Sequence, residues 1–165
     1  AARDRVVEIG ALAFRLERGT DGWVAIEGDT VETLVNPGCP IPAEVSAIHG
    51  IDDLSVSAAP SFAEALPSLM ALLGNAIIVA HNAPFDLGFL REECARAGID
   101  FPPNPAYDTI QIAKATVSGL PSYSLGALAA SFGIHQSAAH RGGDDARVCM
   151  QIFTRCVNLL ESKTG

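Results

Sequence analysis

The 165 residues contain no apolar run near the ~20 that a membrane-spanning helix needs. The opening Ala1-Ala2-Arg3-Asp4-Arg5 is charged and lacks the apolar core of a secretory signal. It also lacks an initiator Met, as expected of a piece of a longer protein. No C-x-x-C pair occurs among Cys39, Cys94, Cys149 and Cys156. Three of the four fall at apolar helical phases, which reads as small buried hydrophobes, zinc or a disulfide being the alternative. A reducing, cytoplasmic setting follows. Positive charge is scarce: the net charge is −8 and the pI about 4.8. A broad basic face gripping a long nucleic-acid backbone is excluded, whereas a small site on one strand end is not. There is no internal repeat and no linker-like stretch, so residues 1–165 read as a single domain. A hydrophobic fraction of 48% with 18% charged residues suits an ordinary globular core.

Strand signals come first. Residues 5–16 crowd Val6, Val7, Ile9, Leu12 and Phe14 into one segment. Thr20-Asp21-Gly22 is a turn, and residues 23–35 return antiparallel, interrupted near Gly28-Asp29. Three prolines between Asn36 and Pro42 enforce a loop, followed by a helical turn ending at His49-Gly50. Ser61-Phe62-Ala63-Glu64 matches a capping box and predicts a helix over 61–73, bent at Pro67. The apolar run 76–80 predicts a strand covered on both faces, leading directly into a helix that Gly98 stops. Further helices are expected over 107–114, 122–132 and 143–160, giving an α/β domain.

Two short clusters carry the chemistry. His81-Asn82-Ala83-Pro84-Phe85-Asp86 follows the apolar run, and His140-Arg141-Gly142-Gly143-Asp144-Asp145 precedes the last helix. From Asp145, the helical positions three, four, seven and eight residues on are Val148, Cys149, Ile152 and Phe153, so its side chain points along the buried face. Asp144 is turned about 100° away and suits a cap or a first-turn dipole partner. Asp86 shares a face with Phe89, Leu90, Cys94 and Ala97. Asn82 is placed to cap that helix, with Pro84 in its first turn. An ionised carboxylate on a buried face is costly unless a cation answers it. Asp86 and Asp145 are therefore the candidate metal ligands. Hard oxygen donors suit Mg²⁺ or Mn²⁺. Hydrolysis of a phosphodiester uses two such ions ~3.5–4 Å apart, and a histidine with a pKa near ~6.5 is a natural proton acceptor.

Taken in order, Asn36-Pro37-Gly38, His49-Gly50-Ile51, Asn82-x-x-x-Asp86, Asp108-Thr109 and His140-x-x-x-x-Asp145 resemble the DEDDh 3′–5′ exonucleases. That superfamily includes the proofreading epsilon subunit of bacterial DNA polymerase III and relatives acting on RNA. The resemblance runs from about Arg5 to Leu160. It implies a ribonuclease H-like mixed sheet, its first three strands antiparallel, flanked by helices. It also implies that Asp86 and Asp145 are the third and fourth family carboxylates and His140 the general base. His49 would lie near the terminal nucleotide, Asn82 would help hold the site, and Asp108 would be a structural cap. The implied partners are the 3′ end of single-stranded DNA or RNA and polymerase III subunits, with no membrane.

Two departures accompany the matches. No Asp-x-Glu occurs in the chain, so the family's first strand and two of its carboxylates are absent, and this chain is expected to be inactive by itself. Glu8 belongs to the following strand and does not replace them. Gly142-Gly143 stands where many relatives have Ala-Leu, which would loosen the loop holding His140. The competing expectations are a catalytically dead exonuclease-like module that binds a polymerase or nucleic acid, and an unrelated metal-free α/β binding domain.

Overall fold

The computed structural model describes residues 4–136 and 141–164. Strands β1 (Glu8–Gly19) and β2 (Gly22–Leu34) form an antiparallel hairpin closed by Thr20-Asp21. The pairing register shifts between Leu12 and Phe14, opposite Gly28-Asp29. The expected interruption is thus a bulge in a continuous strand rather than a break, and it sharpens the local twist.

After the proline-rich loop come α1 (Ala43–His49), α2 (Asp53–Val56) and α3 (Phe62–Leu73). Ser61 and Glu64 complete the reciprocal capping box, and Pro67 lies within the helix. Strand β3 (Ile78–Ala80) leads into α4 (Ala83–Arg96). It is shorter than the apolar run, and all three of its residues are only half-buried, so it is not the doubly covered strand expected. Ile77 stands 53% exposed just before it.

Strand β4 (Ala106–Asp108) pairs parallel to β3 and passes into α5 (Thr109–Thr116). The three residues of β4 are too few to show periodicity, and the sequence alone assigned Tyr107 and Asp108 to the helix. The last two elements are α6 (Leu125–Phe132), capped by Ser124, and α7 (Gly142–Thr164).

The α/β class stands, with one difference in the sheet. Among the described residues, the antiparallel β1–β2 pair and the parallel β3–β4 pair form separate two-stranded ladders. Among the described residues, no third antiparallel strand accompanies β1 and β2.

Helix α7 ties the pieces together. Asn158 accepts from Trp23 N–H at 2.7 Å and donates back to Trp23 C=O at 2.9 Å, docking the hairpin end. Phe153 packs edge-on against Phe14 and stacks against Tyr107, each at 6.0 Å, so a single ring bridges the two ladders. One core forms under the hairpin from Ile9, Val35, Phe62, Leu66 and Cys94. A second gathers Ala113, Leu128, Val148, Ile152 and Cys156 between α5, α6 and α7. Cys94, Cys149 and Cys156 are buried free thiols and Cys39 is exposed, as the helical phases indicated.

Gly142 and Gly143 are not a loosened loop but the first turn of α7. A Cβ on Gly10 would collide with the Gly142 backbone, and one on Gly143 would strike the Glu32 carboxylate. The missing side chains let α7 begin in contact with the hairpin. Arg141 to Glu8 at 3.4 Å and Arg147 to Glu32 at 3.2 Å surround this contact.

Candidate active site

The site forms where β3 and β4 end. Parallel strands deliver their C-terminal residues to one rim, and here those residues are Ala80 and Asp108, paired across the ladder. His81 follows Ala80, and its Nδ1 lies 2.8 Å from the Thr109 hydroxyl. That hydroxyl also reaches Ala80 C=O at 3.4 Å and the Cys149 thiol at 3.9 Å. One buried threonine thus joins β3, α5 and α7. Burial pushes the His81 imidazole below its ordinary range, against the opposing pull of Asp108 and Asp145.

Asn82 has φ 67° and ψ 50°, the only non-glycine positive φ among the described residues. The capping role expected of it is corrected. An N-cap side chain reaches the helix from extended backbone, and from the left-handed region Asn82 makes no side-chain cap bond. Its main chain does the work instead. Its N–H donates to Asp108 Oδ1 at 3.0 Å, and its C=O accepts from Phe85 N–H at 2.8 Å.

Asp86 lies in the first turn of α4 and is exposed as a residue, contrary to the buried-face expectation. Its helical face is indeed the one that buries Glu93 and Cys94 further along. At the helix start, however, that face opens onto the rim. The carboxyl itself is still hemmed in by protein: desolvation, with a smaller push from the Asp108 charge, raises its pKa to about 6.

Asp145 and Asp144 are both half-buried, so the expected contrast in burial between them is absent. What sets Asp145 apart is its surroundings. Its Oδ1 accepts from Gln136 Nε2 at 2.8 Å, and its charge is felt at His81 and Cys149. Gln136 carried no sequence signal, because it belongs to no motif and meets Asp145 only through the fold.

The Cys149 thiol is buried on α7, facing the Thr109 hydroxyl. It is pushed up to about 12 chiefly by burial, with Asp86, Asp108 and Asp145 all adding to the rise. Hydrogen bonds tie Asp108 to Asn82 at the head of α4, whose first turn carries Asp86, and His81 to Thr109, while Asp145 is held by Gln136. His49 stands in different company on α1. Its Nδ1 accepts from Ile51 N–H at 3.0 Å, and its Nε2 is buried without a partner. His140 lies outside the described residues.

Hard carboxylate oxygens are the right donors for a divalent cation of the Mg²⁺ type, and Asp86 behaves as a crowded acid that a cation would relieve. The number of donors falls short. Among the described residues no group of three or more His, Cys, Asp or Glu could enclose a metal. The fit is to part of a site, not to a complete two-ion cage. Among the described residues, no helix is long and apolar enough to cross a membrane.

Known proteins resemble the chain across this whole region. The RNase T exonuclease family model matches residues 1–153. DNA polymerase III subunit epsilon of Treponema pallidum is 36% identical over 177 aligned positions, which cover 99% of this chain and 79% of that protein. The PolC-type DNA polymerase III of Caldanaerobacter subterraneus is 31% identical over 96% of this chain, which spans only 11% of that polymerase. Among solved structures, the nuclease domain of 3′hExo, a DEDDh family member bound to rAMP, superposes with a TM-score of 0.66 at 17% identity, covering 92% of each chain. With the ordered motifs, the α/β architecture and a match over nearly its full length, the chain belongs to the exonuclease family and is similar to its epsilon members.

Proposed function

We propose that this chain contributes the third and fourth carboxylates and the general base of a metal-dependent 3′–5′ exonuclease. The enzyme hydrolyses the last phosphodiester of a nucleic acid strand, DNA ahead of RNA, and releases nucleoside 5′-monophosphates. The observation that carries this reading is the joining of the two strand-to-helix junctions, Asp108 accepting at 3.0 Å from Asn82 N–H at the head of the helix whose first turn holds Asp86, with burial raising the Asp86 carboxyl to about 6. Asp86 and Asp145 would hold Mg²⁺ or Mn²⁺. The bound cation supplies charge relief on the phosphoryl oxygens and acidifies water. His140 takes the proton from the attacking water. By the family resemblance Asn82 would help hold the site and His49 would meet the terminal nucleotide, and polymerase III subunits are the fitting protein partners. Two carboxylates from an Asp-x-Glu strand are still required, so these residues alone are inactive.

A second reading, a catalytically dead module that binds a polymerase or nucleic acid, is favoured by the lack of a three-donor group among the described residues. One experiment separates the two. A 3′-labelled single strand is incubated with Mn²⁺ and either the 165-residue chain or the same chain preceded by an apolar strand ending in Asp-x-Glu. The proposal expects mononucleotide release only from the second protein. Vigorous digestion by the first would refute the half-site, and strand binding without digestion by either would establish the module.

A further inference from the structure

Asp108 is the N-cap of α5, its Oδ1 accepting from Ile110 N–H at 2.9 Å. An aspartate in that position ordinarily does no more. Here the same oxygen also accepts, at 3.0 Å, from the N–H of Asn82, 26 residues earlier in the chain and at the head of a different helix. Asn82 occupies the left-handed region that side chains other than glycine adopt at a cost. An external bond to its N–H is what such a turn needs in order to persist. The next bond in line, Phe85 N–H to Asn82 C=O at 2.8 Å, closes the first turn of α4, and Asp86 follows immediately.

We propose that Asp108 is a positioning residue: by latching the Asn82 turn to the head of α5, it fixes where α4 begins and hence where the Asp86 carboxylate stands. The latch spans the two βα junctions that deliver the site, and β3–β4 pairing aligns them by placing Ala80 opposite Asp108. His81 and Thr109 provide a second tie between the same junctions, 2.8 Å long, on the buried side. With both ties made, the α4 start cannot move without unwinding the head of α5.

The inference rests on the proposed role of Asp86 only in the second of its two measurements. The first is amide hydrogen exchange in the full 165-residue chain. Asp108→Asn, Asp108→Ser and Asp108→Ala all remove the charge, so electrostatics is common to the three. Asn keeps an acceptor of the same reach. Ser keeps a hydroxyl that caps α5 but is too short to span to Asn82, which covers the case in which the Ala variant fails to fold. At Asn82 and Asp86, the Ser and Ala variants are expected to exchange at least tenfold faster than the Asn variant, which stays within threefold of the parent. If Asn82 and Asp86 exchange alike in all the variants while only Ile110 responds, Asp108 is a helix cap and the latch is refuted. The second measurement is Mn²⁺ affinity, read by electron paramagnetic resonance. It should be at least tenfold weaker in the Ser variant than in the Asn variant; equal affinities alongside altered exchange overturn the positioning of Asp86. Should Asp86→Asn leave Mn²⁺ affinity unchanged, the metal role of Asp86 fails instead, and the exchange data alone decide the latch.

Discussion

Arg5 Nε lies 2.7 Å from Glu93 Oε1, and the same carboxylate accepts from the N–H of Val6 at 3.2 Å. Glu93 is 2% exposed and also meets Arg96 at 3.2 Å, so the segment entering β1 is pinned to the middle of α4 by a buried acid with several donors. Removing one partner of a buried pair leaves the others unanswered. Glu93→Ala should therefore lower stability by about 3 kcal/mol, seen as a fall in Tm by circular dichroism. A variant melting within a degree of the parent would show that the network contributes nothing.

The raised pKa of Asp86 makes stability depend on pH in a set direction. An acid that holds its proton more tightly when folded binds more protons in the native state between the ordinary 3.8 and about 6. Its contribution is present at low pH and is lost as pH rises through that window. Without divalent cations, Asp86→Asn should melt with the parent near pH 4 and above it at pH 7–8. Added Mn²⁺ should raise the parent's Tm and leave the variant's unchanged, because a ligand stabilises only the state it binds.

Asp144 and Asp145 are adjacent, equally charged and similarly covered, which makes each a control for the other. Asp145→Asn keeps an oxygen for Gln136 but loses the charge facing the site. Mn²⁺ affinity should fall at least tenfold with little change in Tm. Asp144→Asn should cost ~0.3–1 kcal/mol as a first-turn acid at a helix N-terminus and leave Mn²⁺ affinity as it was. The reverse pattern would place the ligand at Asp144 and shift the register of α7.

In a protein that carries the Asp-x-Glu strand, His140→Ala should reduce turnover ~10²–10⁴-fold, the worth of a positioned proton acceptor. The acidic limb of the pH–rate profile should disappear with it. An unchanged profile would assign the base elsewhere.

The contact between Gly10 and Gly142 is backbone against backbone, so neither side can yield by a rotamer change. Gly10→Ala should destabilise by about 1–3 kcal/mol and detach the head of α7 from the hairpin. Faster amide exchange confined to residues 142–146 and the facing part of β1 is the expected signature. Uniform exchange would indicate that the contact is not a constraint.

Much of this is legible in the sequence. Helix starts are local events, so Ser61 with Glu64 announced α3 by its own chemistry, whereas the start of α6 lay between Ser122 and Ser124 until the structure put the cap at Ser124. The hairpin followed from β-forming and apolar residues crowded on either side of the Thr20-Asp21-Gly22 turn, and Asp86 and Asp145 stood out through helical phase and motif order. Phase alone nevertheless misjudged Asp86, because it describes a helix's side and not whether that end of the side is covered. Whatever joins distant segments was beyond the sequence: the three-residue strand β4, Gln136 on Asp145, Phe153 between the ladders, and the left-handed Asn82 held by Asp108. Each depends on a partner between 9 and 139 residues away along the chain. Local propensity and periodicity determined the helices and the hairpin and singled out Asp86 and Asp145 as candidate site residues. Only the packing of α7 and the parallel pairing of β3 with β4 decided which of those residues meet, because hydrogen bonds and buried charges are set by neighbours in space.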